Sequence, residues 1–262
     1  MHTVLSKDGT AIAFDLSGEG PAVILVDGAL CYRGFGPMGP LAALLRRCFT
    51  VFSYDRRGRG ESSDTPPYAI EREVEDVEAL IQEAGGEAFV YGISSGAALA
   101  LKAAASGLNI KKLAIYEPPF VIGKRDHRPP EDSSAQLREL EASGRRGEAV
   151  EFFMTKMVGL PGEAVAPMRG TPVWTLLEAT APTLVYDATI MEENSWLLPR
   201  WVSSVKIPTL AMVGGESPGP MHQAVQAVAD AVRGAQLRIL EGQTHEVAPE
   251  AMSAELEAFF LS

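Results

Sequence analysis

The chain has 262 residues, 46% of them hydrophobic, enough for one sizeable core with or without an inserted cap. Its 23 basic against 34 acidic residues, a formal charge of −11, argue against a surface built for nucleic acid or an anionic membrane. No apolar run is long enough to span a bilayer and Met1 to Thr10 lacks a signal core. The two cysteines, Cys31 and Cys48, are too few for a disulfide scaffold, so a reducing cytoplasm is the expected setting.

Val4-Leu5-Ser6 and Ala11-Ile12-Ala13-Phe14 flank Lys7-Asp8-Gly9-Thr10, and Asp-Gly between two short apolar runs predicts a hairpin. Ala22 to Val26 is continuously apolar, as a central parallel strand covered on both faces must be. Thr50 to Tyr54 is the next strand. Ile70, Val74, Val77, Ile81 and Ala84 then recur at helical spacing and predict an amphipathic helix with an acidic outer face. Ala88 to Tyr91 is a strand, Ala97 to Ala105 a helix of small residues, and Lys112 to Tyr116 a strand closed by Glu117-Pro118-Pro119.

From Phe120 to Val205 the pattern changes to several helices broken by Gly and Pro, one marked by Val150, Phe153, Met154, Met157 and Val158. Strands resume at Pro208 to Val213 and Leu237 to Leu240. Each precedes a helix, the first carrying Met221, Val225, Val228 and Val232, the second Met252, Leu256, Phe259 and Phe260. Strands alternating with helices predict an α/β fold with a mostly parallel, eight-stranded sheet flanked by helices. Residues 1–119 and 206–262 form the expected core, and 120–205 a helical lid over the sheet's carboxyl edge, where such sheets bind ligands. Neither the cysteines nor the histidines have metal-site spacing, and no repeat is evident.

Gly92-Ile93-Ser94-Ser95-Gly96 falls between a strand and a helix, the context that turns a short G-x-S-x-G string into a nucleophile elbow. The turn is tight enough to strain the central serine, so its neighbours two before and two after must lack bulk. The hydroxyl then projects from a strand end beside a helix N-terminus, whose dipole favours developing negative charge.

With this elbow in place the chain resembles the α/β-hydrolase fold family over nearly its whole length. Val26-Asp27-Gly28-Ala29 stands where the family usually has His-Gly after its third strand. Tyr54 to Ser62 is similar to the family's D-x-R-G-x-G-x-S segment, Pro208 to Gly215 to its P-T-L-x-x-x-G strand, and Gly242-Gln243-Thr244-His245 to its G-x-x-H. Among subgroups the likeness is to small lidded esterases, enol-lactone hydrolases and cofactor-free haloperoxidases.

The resemblance implies Ser94 as nucleophile and a histidine as its base. Of His2, His127, His222 and His245, only His245 follows the last strand in a short polar loop at the same sheet edge as Ser94. The acid that steadies the imidazolium is the departure. The family usually places it after the strand that follows the lid, where this chain has Ser217, and serine carries no charge. Glu117, Glu216 and Asp187 are the substitutes, and a dyad without an acid stays open. Glu117 is favoured because Pro118-Pro119 fixes it at a strand end on the catalytic edge, a position that haloalkane dehalogenases use.

The amides of Ala29 and Ser95 are the expected oxyanion hole. Asp27 so near that hole must point away or be paired. Arg57 and Asp55 are expected to tie down their Gly-rich loop, and Cys31 to be a small, mostly apolar filler. Phe152, Phe153, Met154, Met157, Met168, Trp174, Met191 and Trp196 give the lid an apolar, adaptable interior. The expected activity is hydrolysis of a small, largely apolar ester or lactone without cofactor or metal, the partner being a small molecule. The competing readings are a ligand-binding protein on the same scaffold and a halide-oxidising perhydrolase. A dehalogenase would need aspartate at position 94. Oligomeric state is left open.

Overall fold

The computed structural model describes residues 1–123, 128–192 and 196–262; the His127 considered above lies outside them. Eight strands form one sheet: β1 (His2–Leu5), β2 (Ala11–Ser17), β3 (Ala22–Val26), β4 (Thr50–Tyr54), β5 (Ala88–Ile93), β6 (Ile110–Tyr116), β7 (Thr209–Gly214) and β8 (Gln236–Leu240). Their order is β1-β2-β4-β3-β5-β6-β7-β8. The hairpin strands are antiparallel to each other and β2 to β4; every pairing from β4 through β8 is parallel.

Helices α1 (Met38–Leu45), α2 (Ile70–Glu83), α3 (Ser95–Ala105), α9 (Gly219–Ala231) and α10 (Pro249–Phe260) cover the sheet. Between β6 and β7 the chain inserts α4 (Ser133–Ala142), α5 (Arg146–Phe152), α6 (Gly162–Val165), α7 (Pro172–Thr180) and α8 (Leu184–Glu192). The apolar run of β3 is buried on both faces. Ile24 and Val26 join the core under α2, α3, α9 and the inserted helices, while Val23 and Leu25 join the core under α1 and α10. Parallel strands need such two-sided cover. None of the helices among the described residues is long and apolar enough to cross a membrane.

The structure departs from the sequence reading in three places. Helix α1 was not foreseen, because Pro37, Gly39 and Pro40 mask its short apolar face of Met38, Leu41 and Leu45. Val158 is exposed rather than on the buried face of its helix, which changes to a π-turn over Phe153–Met157 and so rotates the next residue away. The acidic face of α2 is not wholly outside: Glu73 and Asp76 are buried, each against an arginine of the segment after β4.

Candidate active site

Ser94 follows the last residue of β5 with φ 55 and ψ −127, a left-handed backbone that a non-glycine residue adopts only when its surroundings enforce it. Its own N–H still donates to Tyr116 O at 2.9 Å, so strand pairing runs into the turn. The expected crowding is present. A Cβ on Gly96 would stand 2.4 Å from the carbonyl oxygens of Val26 and Asp27, and one on Gly92 would stand 2.5 Å from Gly96 O. The loop after β3 therefore lies directly on the elbow, and a Cβ on Gly28 would be 3.1 Å from Ser94 Cβ. Among the described residues the N–H groups of Ala29 and Ser95 have no hydrogen-bond acceptor. Ala29 precedes Leu30, itself at φ 62, so this loop too is held in a restricted conformation.

Glu117 follows the last residue of β6 at φ 47 and is fully buried. Its Oε2 lies 2.7 Å from His245 Nδ1, and its Oε1 accepts the Gly214 N–H, at the end of β7, at 2.8 Å. Burial pushes the Glu117 carboxyl up. The contacts from His245, the Ser217 hydroxyl and the Gly214 amide outweigh it, and the group is held below the ordinary glutamate range. The Ser217 oxygen is buried beside this carboxylate without a hydrogen bond of full geometry. The neighbouring Tyr116 hydroxyl donates to Thr244 O at 2.5 Å, and Gln243 Oε1 accepts the Ala248 N–H at 2.8 Å, so the loop carrying His245 is fastened on both sides of the ring. The His245 side chain keeps 42% of its surface exposed. Its other nitrogen, Nε2, and the Ser94 hydroxyl make no hydrogen bond among the described residues. Such contacts are often long in a free enzyme and tighten around the substrate.

The other sequence candidates fall elsewhere. Glu216 is exposed, and among the described residues its hydrogen bond to the His245 loop is through its backbone N–H, at 2.9 Å from Gln243 O. His2 stacks on Phe14 at the sheet edge, and His222 sits in the first turn of α9. Asp187, on α8, accepts from Arg56 Nη1 at 2.7 Å, Arg59 Nη2 at 2.6 Å and Ser95 Oγ at 2.7 Å, and does not touch His245. Asp27 is buried and only partly paired. Its Oδ1 is buried without a partner, and burial pushes its pKa up to about 7 against the pull of Arg59 and Arg56. Burial, then the Asp27 charge, also push the Cys31 thiol up, away from thiolate chemistry. Asp55 accepts the N–H groups of Arg33 and Glu61, and Arg57 pairs with Asp76 and Asp8.

Sequence reasoning missed the depth of this charged layer. Arg56, Arg57 and Arg59 are all essentially buried. One signal was available: Glu73 and Asp76 stand three residues apart in the stripe of Ile70, Val74, Val77 and Ile81, where an acid needs a buried cation.

A strained serine between β5 and α3, with a histidine–carboxylate pair delivered from the ends of β8 and β6, places the molecule in the α/β-hydrolase class of folds. The chain belongs to the alpha/beta hydrolase family, whose model matches residues 7–259. An alpha/beta hydrolase from Sphaerobacter thermophilus DSM 20745 is 50% identical, covering 99% of this chain and 100% of its own, with a TM-score of 0.92. An enol-lactonase from Burkholderia xenovorans LB400 shares the fold at 19% identity over 100% of both chains, TM-score 0.71. A thermophilic esterase from Thermogutta terrifontis shares it at 20% identity over 99% of this chain and 97% of that one, TM-score 0.72.

Proposed function

We propose that this protein is a serine hydrolase that cleaves a small, largely apolar carboxylic ester or lactone through an acyl-enzyme. The observation that carries the reading is the 2.7 Å contact between His245 and the buried Glu117 carboxylate, at the same sheet edge as a serine held at φ 55. Ser94 Oγ attacks the substrate carbonyl while His245 Nε2 takes its proton. Glu117, ionised and fixed by Gly214, keeps the Nδ1 proton in place and offsets the imidazolium charge. The free N–H groups of Ala29 and Ser95 receive the oxyanion. His245 returns the proton to the leaving alcohol, and water cleaves the acyl-enzyme by the reverse route.

The helices of 120–205 act as the lid in this reading. Phe153, Met154 and Met157 are buried in the core that also holds α3, so they pack the insertion against the body. The enol-lactonase and esterase relatives are in keeping with that substrate class, as scaffolds of the same fold. The test is labelling by a fluorophosphonate together with turnover of short p-nitrophenyl esters. Wild type should do both and Ser94→Ala neither. A well-folded wild type that does neither refutes the enzyme reading and leaves a ligand-binding protein.

A further inference from the structure

We propose that Asp187 and Arg59 are positioning residues that set both amides of the oxyanion hole, so that one carboxylate from the inserted helices aligns the donors for catalysis. The inference rests on the serine-hydrolase reading and deepens it.

Arg59 Nη1 donates to Gly28 O at 2.6 Å and to Cys31 O at 3.2 Å. Gly28 O and Ala29 N belong to one peptide group, and a trans peptide is planar, so its carbonyl and its N–H point in opposite directions. Gripping the carbonyl from behind therefore aims the Ala29 N–H. A cationic donor on the carbonyl also polarises the amide and strengthens it as a donor in turn. Arg59 is itself held on two further sides, by Thr183 Oγ1 at 3.0 Å and Asp187 Oδ2 at 2.6 Å. The other oxygen of Asp187 accepts the hydroxyl of Ser95, the residue that supplies the second amide, at 2.7 Å.

The same Oδ1 also takes Arg56 Nη1 at 2.7 Å, and Arg56 is locked by a two-bond contact with Glu73 at 2.7 Å in each arm. Burial works against the Asp187 charge, but Arg59 and Arg56 overcome it and the carboxylate stays ionised. Thr183 and Asp187 lie on the inserted segment, while Gly28, Ala29 and Ser95 lie on the sheet edge. The insertion is thus tied into the alignment of the hole.

The experiment compares full-length wild type with Arg59→Lys, Ser95→Ala and Asp187→Asn. Thermal melting scores folding. The readouts are kcat and KM on p-nitrophenyl butyrate and affinity for an alkyl trifluoromethyl ketone, whose serine adduct places an oxyanion in the hole. A lysine cannot reach Gly28 O, Thr183 and Asp187 together. Removal of one oxyanion donor costs about 10²- to 10³-fold in kcat, and misalignment less. Arg59→Lys should therefore lower kcat about 10- to 100-fold and Ser95→Ala about 3- to 10-fold. KM should stay within about threefold, with ketone affinity falling in step with kcat. Asp187→Asn should exceed Ser95→Ala. Folded Arg59→Lys and Ser95→Ala that keep kcat and ketone affinity within about twofold overturn the proposal. If Arg59→Lys does not fold, the Ser95→Ala result decides alone. A wild type without Ser94-dependent turnover overturns the hydrolase reading and this one with it, whereas normal wild-type turnover with silent variants overturns this one only.

Discussion

Replacing Glu117 by glutamine tests the proposed catalytic centre most directly, because it removes one charge and almost no volume. In the transition state the imidazolium and the carboxylate, in contact at 2.7 Å between Nδ1 and Oε2, are opposite charges. With charge centres about 4 Å apart and an effective dielectric of about 20, their attraction is about 4 kcal/mol, or roughly a thousandfold in rate. That dielectric suits a site in which Glu117 is fully buried while His245 keeps 42% of its side chain in water. A second loss compounds the first. The glutamine amide can donate to Nδ1, which puts the ring proton on Nε2 and leaves no lone pair to accept the Ser94 proton. Glu117→Gln should thus lower kcat for a p-nitrophenyl ester by about 10³- to 10⁴-fold, with KM nearly unchanged. Glu216→Gln, altering an exposed side chain, should leave both parameters alone. The assay is steady-state turnover beside a melting curve for each variant. A folded Glu117→Gln that retains more than about a tenth of wild-type kcat would refute the assignment of the acid, since the charge alone is worth about a hundred times that loss.

Three further outcomes are expected. Asp27 has a folded-state pKa of about 7 against an ordinary 3.8, so the folded protein holds a proton that the unfolded chain has lost between those values. Its contribution to stability therefore falls as pH rises through that window, by at most about 1.4 kcal/mol per pH unit. Asp27→Asn should flatten this slope in urea melts between pH 4 and 8, and an unchanged slope would contradict it. Asp76→Asn leaves the buried Arg57 with the partly exposed Asp8 as its remaining carboxylate among the described residues, beside the Arg72 carbonyl, and should cost about 3–5 kcal/mol in urea unfolding, a loss below about 1 kcal/mol counting against the ion pair. Gly214→Ala puts a methyl 2.4 Å from Gln243 O and 2.7 Å from the Tyr116 hydroxyl, both in or bound to the His245 loop. The loop must shift, and turnover should drop more than tenfold, a 1 Å misplacement being worth about 10²-fold; wild-type kcat would show that the loop absorbs the methyl.

The elements legible in the sequence are those whose residues see one environment. β3 begins and ends where its apolar run does, β4 spans the Thr50 to Tyr54 read as a strand, and α10 buries the Met252, Leu256, Phe259 and Phe260 stripe. The elbow was legible because its constraint is steric and local: a Cβ at Gly92 or Gly96 meets backbone that cannot retreat. The charged layer was not, because its logic is reciprocal. Glu73 in an apolar stripe looks like an error until Arg56 arrives from a different segment, and Asp187 looks like an acid free for His245 until Arg56, Arg59 and Ser95 use it fully. Pairwise compensation between distant residues leaves no period to read.

The position of the buried acid follows from sheet geometry. β6 and β7 are parallel neighbours, so their carboxyl ends stand side by side, about 4.8 Å apart. A carboxylate rooted on either strand end has the last-strand histidine within reach. This chain roots it on β6, and the β7 end answers with an N–H: Gly214 donates to the same carboxylate that meets His245. Ser217, in the loop after β7, is small enough to stay buried beside that carboxylate. An aspartate there would set two anions against one imidazole and raise one of their pKa values. The serine at position 217 and the glutamate at position 117 are on this account one feature: the charge sits on one strand, and its neighbour is neutral so that the charge persists.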